Sequence, residues 1–550
     1  MHVALKMDER TDAVAGVHWR HHDWLLYTVV VVVYCVIRLL LIPSGAELTN
    51  AFSHDSGYLA LVGDNVAAGR GYVLDALWLV FLLPPSLPMP YHNANPFFPT
   101  ATGWATALTG NVFQSGFIVS ALASAMLLCA AIALFRPMVR RAWQAVVLAS
   151  GVVLFPPVLV DSFLYLTDAL CAALIISFVA VIHRTRAPAG VFFGGILLGL
   201  AWLTRGATVL IGPALLVYLF LRFDPRTAAT RLALLLAGAM LVSAPWLVHT
   251  KRVWGSYFRS DSGYALIQDL AAHKSHQDSV VRYWHSTEKP PPLRAFVLDS
   301  PTGFARYLAA GTLNTAKRTA GWWSMHNAPV ALVLLGAAVF LVMERRRWWS
   351  AEAAALVVLA ATTLVVLGIR GNSFEERYVN TLTIFFAMLA VAGCWRAWQR
   401  SSGTMRPVVA ITLLAVWGLL IPRAIIETYR QVYSTNVELV KYRQAAADVN
   451  RRFAHGQPVV VGMVPYFYAI ETGAPALNFP DASDDFLVAY MDKYAASHLF
   501  LTREELEFWR PSWSSLSALP AGLRLGGTVD DGFVFERTGP HAGLAVASSR

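Results

Sequence analysis

Charge is scarce in this chain. Asp, Glu, Lys and Arg together make 14% of its 550 residues, against roughly a quarter in soluble domains. Hydrophobic residues make 56%, and mean hydropathy is +0.50. A composition so poor in charge excludes a disordered chain and argues against an ordinary soluble enzyme. Cysteine is scarce too. Cys35, Cys129, Cys171 and Cys394 each lie inside an apolar run. Their spacing fits no metal site, and burial in lipid works against disulfides. There is no P-loop, no G-x-G-x-x-G after a strand, no H-E-x-x-H, no C-x-x-C and no G-x-S-x-G. ATP-driven transport and zinc hydrolysis lose their usual sequence support. No repeat of a solenoid kind is visible.

What the chain has is one apolar run after another. A spanning helix needs about 20 mostly apolar residues, and about eleven runs approach that length. They are 24–42, 112–135, 142–160, 169–182, 189–203, 207–221, 232–248, 328–343, 353–369, 379–395 and 407–422. Only Arg38 places a charge inside a run, near its end, where a long side chain can snorkel. Gly194, Gly195 and Gly199 share one run, as suits closely packed helices. The first run reads as a span because it is long and no A-x-A cleavage site follows it.

Short loops rich in Lys and Arg set the orientation. They place residues 1–23 in the cytoplasm and the loops 43–111 and 249–327 outside, in a membrane body covering 24–429. The net charge of +10 is then a matter of cytoplasmic loops and lipid phosphates, not of nucleic acid. The 18 Trp and 19 Tyr can furnish interfacial belts.

Residues 430–538 read differently, as a small soluble α/β domain outside the membrane, followed by a loose tail at 539–550. The stretch 458–464 and the stretch 497–501 have the composition of buried strands. Residues 484–494 have helical spacing. Thr502, followed three residues on by Glu505, forms a capping-box pattern that predicts a helix start.

Candidate chemistry gathers on the outer side. Asp55 follows the first span by about a dozen residues, and the segment 56–68 has the spacing of a helix lying on the interface. Asp161 and Asp168 bracket a short outer loop, and ionisable groups at that depth are expensive. Arg205, Lys251 and Arg377 supply cations to the same side. Carboxylates and cations converging there suit a phosphate-bearing substrate with a lipid tail.

Several segments carry a resemblance. These are Asp55-Ser56-Gly57-Tyr58 with Gly69-Arg70-Gly71-Tyr72, Asn95-Pro96-Phe97-Phe98-Pro99, Thr167-Asp168-Ala169, and Leu200-Ala201-Trp202-Leu203-Thr204-Arg205. Pro245-Trp246, Ser262-Gly263-Tyr264, Glu376-Arg377-Tyr378 and Tyr468-Ala469-Ile470-Glu471-Thr472-Gly473 continue it. In order and placement the chain resembles the GT-C glycosyltransferases, in the bacterial branch similar to protein O-mannosyltransferases and lipid A aminoarabinose transferases. The resemblance implies a polytopic α-helical membrane protein with a C-terminal extracytoplasmic α/β domain, set in the inner membrane. It implies a polyprenyl-phosphate sugar donor and an envelope acceptor (a lipid, glycan or protein). It also implies a catalytic aspartate in the first outer loop, where Asp55 stands. Asp168 matches a second position that is often acidic. Ser56 stands where the family often has another acid, which weakens the case for a metal held by paired acids.

Asp55 and Asp168 are therefore the expected catalytic acids, with Asp55 as base in an inverting transfer. Arg205, Arg377 and Lys251 are expected at the donor phosphate. His54, Tyr58, His92 and Glu376 complete the expected pocket. A divalent cation, Mg or Mn, on Asp55 and Asp168 is an alternative that oxygen ligands allow. Two other functions share the composition: a transporter or flippase of lipid-linked sugars, and a non-catalytic envelope-assembly protein.

Overall fold

The structure is a computed structural model. It describes residues 21–42, 54–91, 95–258, 264, 267, 270, 284–325, 351–370, 379–404, 406–408, 418, 422, 426, 437–462, 465–513 and 518–539. The chain enters with helix α1 (His21–Leu40) and, after a gap in the description, α2 (His54–Ala67). Short strands β1 (Val73–Leu74), β2 (Ala76–Leu77) and β3 (Met89–Pro90) follow. Helices α3 (Phe97–Thr109), α4 (Val112–Phe135), α5 (Ala142–Val153), α6 (Pro156–Asp161), α7 (Asp168–Arg184), α8 (Pro188–Thr204), α9 (Ile211–Arg222) and α10 (Pro225–Trp254) make up most of the body. It continues through α11 (Leu293–Asp299), α12 (Pro301–Met325), α13 (Ala351–Gly368) and α14 (Asn380–Arg400).

Each apolar run on described residues is helical. The runs 328–343 and nearly all of 407–422 lie outside the described residues. Among the described residues three helices are long and apolar enough to cross a bilayer alone: His22–Leu40, Val112–Met138 and Pro225–Trp254. The run 142–160 is cut by Pro156-Pro157, which cannot donate the backbone hydrogen bonds a continuing helix needs. α1 leaves Trp24, Leu25, Val29, Val32, Val33 and Leu40 exposed, and α10 leaves Leu236, Met240 and Leu241 exposed. Apolar faces of this size are expensive in water and suit lipid tails. α8 packs on α10 at backbone distance. A Cβ on Gly195 would collide with the Leu235 carbonyl, and one on Gly238 with the Phe192 carbonyl. The glycines in this run serve the close approach their pattern suggests.

The C-terminal unit starts with α15 (Val437–Val449). Strand β4 (Val459–Val461), helix α16 (Pro465–Thr472), β5 (Ala476–Asn478), α17 (Asp484–Lys493), β6 (His498–Thr502), α18 (Arg503–Trp509), β7 (Leu523–Val529) and β8 (Gly532–Arg537) complete it. The sheet order is β2-β5-β4-β6-β8-β7. β2, β5, β4 and β6 run parallel; β8 and β7 add an antiparallel edge. Val459, Val460 and Val461 are all buried, as a parallel strand covered on both faces requires. The capping box forms: Thr502 Oγ1 accepts from Glu505 N at 3.3 Å, and Glu505 Oε2 accepts from Thr502 N at 2.8 Å.

The edge strand β2 comes from the first loop, about 400 residues from its neighbour β5 in sequence. Further ties bind that loop to the sheet. Asn478 Nδ2 donates to Trp78 O at 2.8 Å, and Tyr494 Oη donates to Pro84 O at 2.7 Å. One hydrophobic core runs without a break from the apolar helices into the sheet.

Candidate active site

α2 is the joint between the two halves, and it is buried on nearly every side. Residues 56–63 are all covered. The expected helix on the interface is instead packed between α3 and α16, because the C-terminal unit covers the face that lipid headgroups would have met. Ser56 Oγ donates to Tyr165 O at 2.9 Å, which fastens the start of α2 to the linker leading into α7. On the other side Gly57 lies under the Tyr466 ring of α16; a Cβ there would collide with it.

Asp55, in the first turn of α2, is half-buried. Tyr58 Oη donates to its Oδ1 at 2.6 Å. Tyr58 in turn sits among rings: Trp78 at 5.8 Å, Tyr91 at 5.5 Å, and Tyr466 edge-on at 6.1 Å between centroids. The line continues from Trp78 to Trp284 at 5.1 Å. In the other direction it passes from Tyr91 to Tyr72, Trp246 and His249. Burial, and secondarily the negative charge of Asp55, push the Tyr466 hydroxyl well above its ordinary pKa, so it stays protonated.

The second acid has a different setting. Asp168 opens α7, is 5% exposed, and forms an ion pair with Arg205. Arg205 stands at the turn after α8, and Asn95 Nδ2 donates to Trp202 O beside it. Thus the Asn95-Pro96, Thr167-Asp168 and Trp202–Arg205 segments, far apart in sequence, meet at one place. A cavity of about 20 Å3 opens beside Asp168, lined by Ser124, Asp161, Ser162 and Thr383 among others. It has room for about one water and none for a sugar phosphate.

Two of the expected cations are placed. Arg205 is held by Asp168. Lys251 turns back on its own helix end, donating to Gly255 O at 2.8 Å, with Tyr257 5.5 Å away. Arg377, Glu376 and His92 lie outside the described residues, and of the His54 side chain nothing is described. Sequence reasoning missed Arg38. Its guanidinium does not snorkel: it is buried, donates to Ser162 O, and lies 3.4 Å from the Phe163 ring centroid. Its being the lone charge inside an apolar run was the available signal. Sequence reasoning also missed Tyr466, Trp78 and Tyr91, since only the fold brings these distant rings beside Tyr58.

The divalent cation offered as an alternative finds a poor seat at Asp168. A guanidinium already occupies Asp168 and would repel a cation there. Among the described residues no group of three His, Cys, Asp or Glu comes together. Nor does the sheet offer the usual α/β crevice. Connections leave in opposite directions at β4 and β6, where such sheets bind ligands, but Glu505 fills that point. Its carboxylate would meet any Cβ on Gly462, and its Oε1 accepts from Tyr442 Oη at 2.5 Å.

A body of apolar helices, joined through a first-loop helix to a C-terminal α/β unit, resembles the GT-C fold that the sequence suggested. Solved structures of that class superpose over most of the chain. ArnT from Cupriavidus metallidurans bound to undecaprenyl phosphate is similar with a TM-score of 0.52 at 13% identity, covering 95% of this chain and 100% of that one. The Archaeoglobus fulgidus oligosaccharyltransferase tethered to an acceptor peptide with the NVT sequon has a TM-score of 0.56 at 14% identity, covering 94% and 75%. The same oligosaccharyltransferase in complex with Zn and sulfate has a TM-score of 0.56 at 13% identity, covering 90% and 70%. No family model matches the chain, and neither does any curated protein sequence.

Proposed function

We propose that this protein is a membrane glycosyltransferase that moves a sugar from a polyprenyl-phosphate donor to a hydroxyl-bearing envelope acceptor on the extracytoplasmic side. The observation that carries this is the placing of Asp55. A half-buried carboxylate, oriented by a tyrosine hydroxyl, stands at the seam between apolar helices and a water-facing domain. A lipid-tailed donor and a polar acceptor can meet only at such a seam.

The chemistry balances with few groups. The acceptor oxygen forms a bond to the anomeric carbon as the carbon–oxygen bond to phosphate breaks. Asp55 takes the acceptor proton, and the polyprenyl phosphate leaves with the electron pair, inverting the carbon. A phosphate needs no strong general acid to depart, so a second free carboxyl, as in a glycosidase, is unnecessary. Cations that meet the growing phosphate charge do the remaining work. Arg205 is the first candidate, and Arg377 and Lys251 the others. Asp168 then serves by orienting Arg205, in place of the catalytic part its sequence position suggests. No step is routed through a metal.

The test is transfer by the purified full-length protein in detergent. A panel of undecaprenyl-phosphate-linked hexoses and pentoses is offered with an envelope extract, and released undecaprenyl phosphate is measured. Release without a sealed membrane is expected, which a transporter would not give. No release from any donor in the panel would refute the proposal.

A further inference from the structure

We propose that the C-terminal α/β unit is part of the catalytic geometry: its Tyr466, seated on Gly57 and edge-on to Tyr58, is a positioning residue that fixes the hydroxyl Tyr58 gives to Asp55. The inference deepens the reading of Asp55 as base and rests on it.

Four contacts lead to it. Gly57 is the residue between Ser56, tied to Tyr165 O at 2.9 Å, and Tyr58, tied to Asp55 at 2.6 Å. With no room for a Cβ on Gly57, the Tyr466 ring closes directly on the α2 backbone and fixes the depth of that helix. The same ring meets Tyr58 at 6.1 Å and 88° between planes, an edge-to-face contact that favours one position of the Tyr58 ring. A hydroxyl on a ring so held reaches the carboxylate at the hydrogen-bond distance found. Without that wall Tyr58 can turn, and Asp55 loses its orienting donor.

α16 is itself anchored in both halves. Glu471 pairs with Arg443 of α15, and Arg443 lies 4.6 Å from the Phe113 ring at the start of α4. Tyr466 thus stands on a helix that cannot drift from the membrane body. Tyr58 on its own helix and Tyr466 on α16 are among the titratable groups around Asp55.

The experiment titrates the Asp55 carboxyl by infrared difference spectroscopy in the full-length detergent-purified protein. The Asp55 band is assigned by its loss in Asp55→Asn. Tyr58→Phe removes a donor to the ionised carboxylate and moves the midpoint to higher pH. Tyr466→Ala is expected to move it the same way, by a smaller amount. In the Tyr58→Phe background it should add less than half of that shift, because both act through one hydroxyl. Tyr466→Phe, which keeps the ring, should leave the midpoint in place. Gly57→Ala displaces the ring from the opposite side and should reproduce Tyr466→Ala, which covers the case where the latter does not fold. An unmoved midpoint in folded Tyr466→Ala or Gly57→Ala, additive shifts, or a Phe variant that behaves like Ala would overturn the inference. Transfer by the Asp55→Asn sample tests the underlying reading separately: wild-type turnover there rejects the base, whatever the titrations show.

Discussion

Two aspartates, one at the start of α2 and one at the start of α7, make an instructive contrast. Asp55 is half-buried and takes a neutral hydroxyl, whereas Asp168 is buried and takes a guanidinium. A carboxylate that accepts from a hydroxyl is oriented without being neutralised. One paired with an arginine inside the protein is tied to that partner, and breaking the pair leaves a buried charge without it. On the proposed reading, the same side chain serves reaction in one place and holds an arginine in the other.

The sharpest way to break this comparison is to remove each acid in turn. Asp55→Asn should lower turnover by roughly 10²- to 10⁴-fold, the range of a general base, with little change in melting temperature. Asp168→Ala should destabilise the fold by roughly 3–5 kcal/mol, measured by thermal unfolding in detergent. If Asp168→Ala keeps wild-type stability, the structural part given to the buried pair is wrong; slower turnover in protein that stays folded is what the loss of Arg205's orienting partner predicts.

A third expected effect concerns how the loops are held over Asp55. Trp284 ends the ring line, and its neighbour His285 is buried against Trp509, at 4.4 Å between centroids, with Nδ1 2.6 Å from Phe479 O. Burial pushes the His285 pKa down to about 4. The unfolded imidazole takes its proton near pH 6.5. The anchor is therefore at full strength above pH 6.5, weakens as pH falls through that value, and has lost its contribution below about 4. Hydrogen exchange at the Asp481 amide, which donates to His285 O at 2.8 Å, should quicken over that window. His285→Phe should remove the pH dependence. The smallest effect is at the sheet: Thr502→Ala should cost about 1 kcal/mol as a lost helix cap, read by thermal unfolding, and leave the infrared titration of Asp55 unmoved.

Local physics made much of this fold legible. Apolar runs became helices, β-branched 459–461 became a buried strand, and the Thr502–Glu505 box formed as its spacing demands. Contacts between distant segments were not legible. Two residues, Ala76 and Leu77, carry no periodicity to mark a strand, yet they extend a sheet from the other end of the chain. α2 has the pattern of an interfacial helix, and only the arrival of α16 buries its outer face. The Asp168–Arg205 pair joins residues whose separate signals suggested catalysis and phosphate binding, and only the fold brings them into contact. Asp55 was singled out because an acid close behind a span can sit at membrane level, although the start of a helix is also an ordinary place for an aspartate. Its orienting partners came from one residue three positions along and another from the far domain, and only the first lay within reach of local reasoning.

The most direct trial of the central claim is the turnover of Asp55→Asn beside wild type in one detergent assay, with undecaprenyl-phosphate-linked sugar saturating and folding checked by melting temperature. The account predicts a folded protein that binds donor and releases undecaprenyl phosphate at least about a hundredfold more slowly. A folded Asp55→Asn protein turning over at the wild-type rate would contradict it.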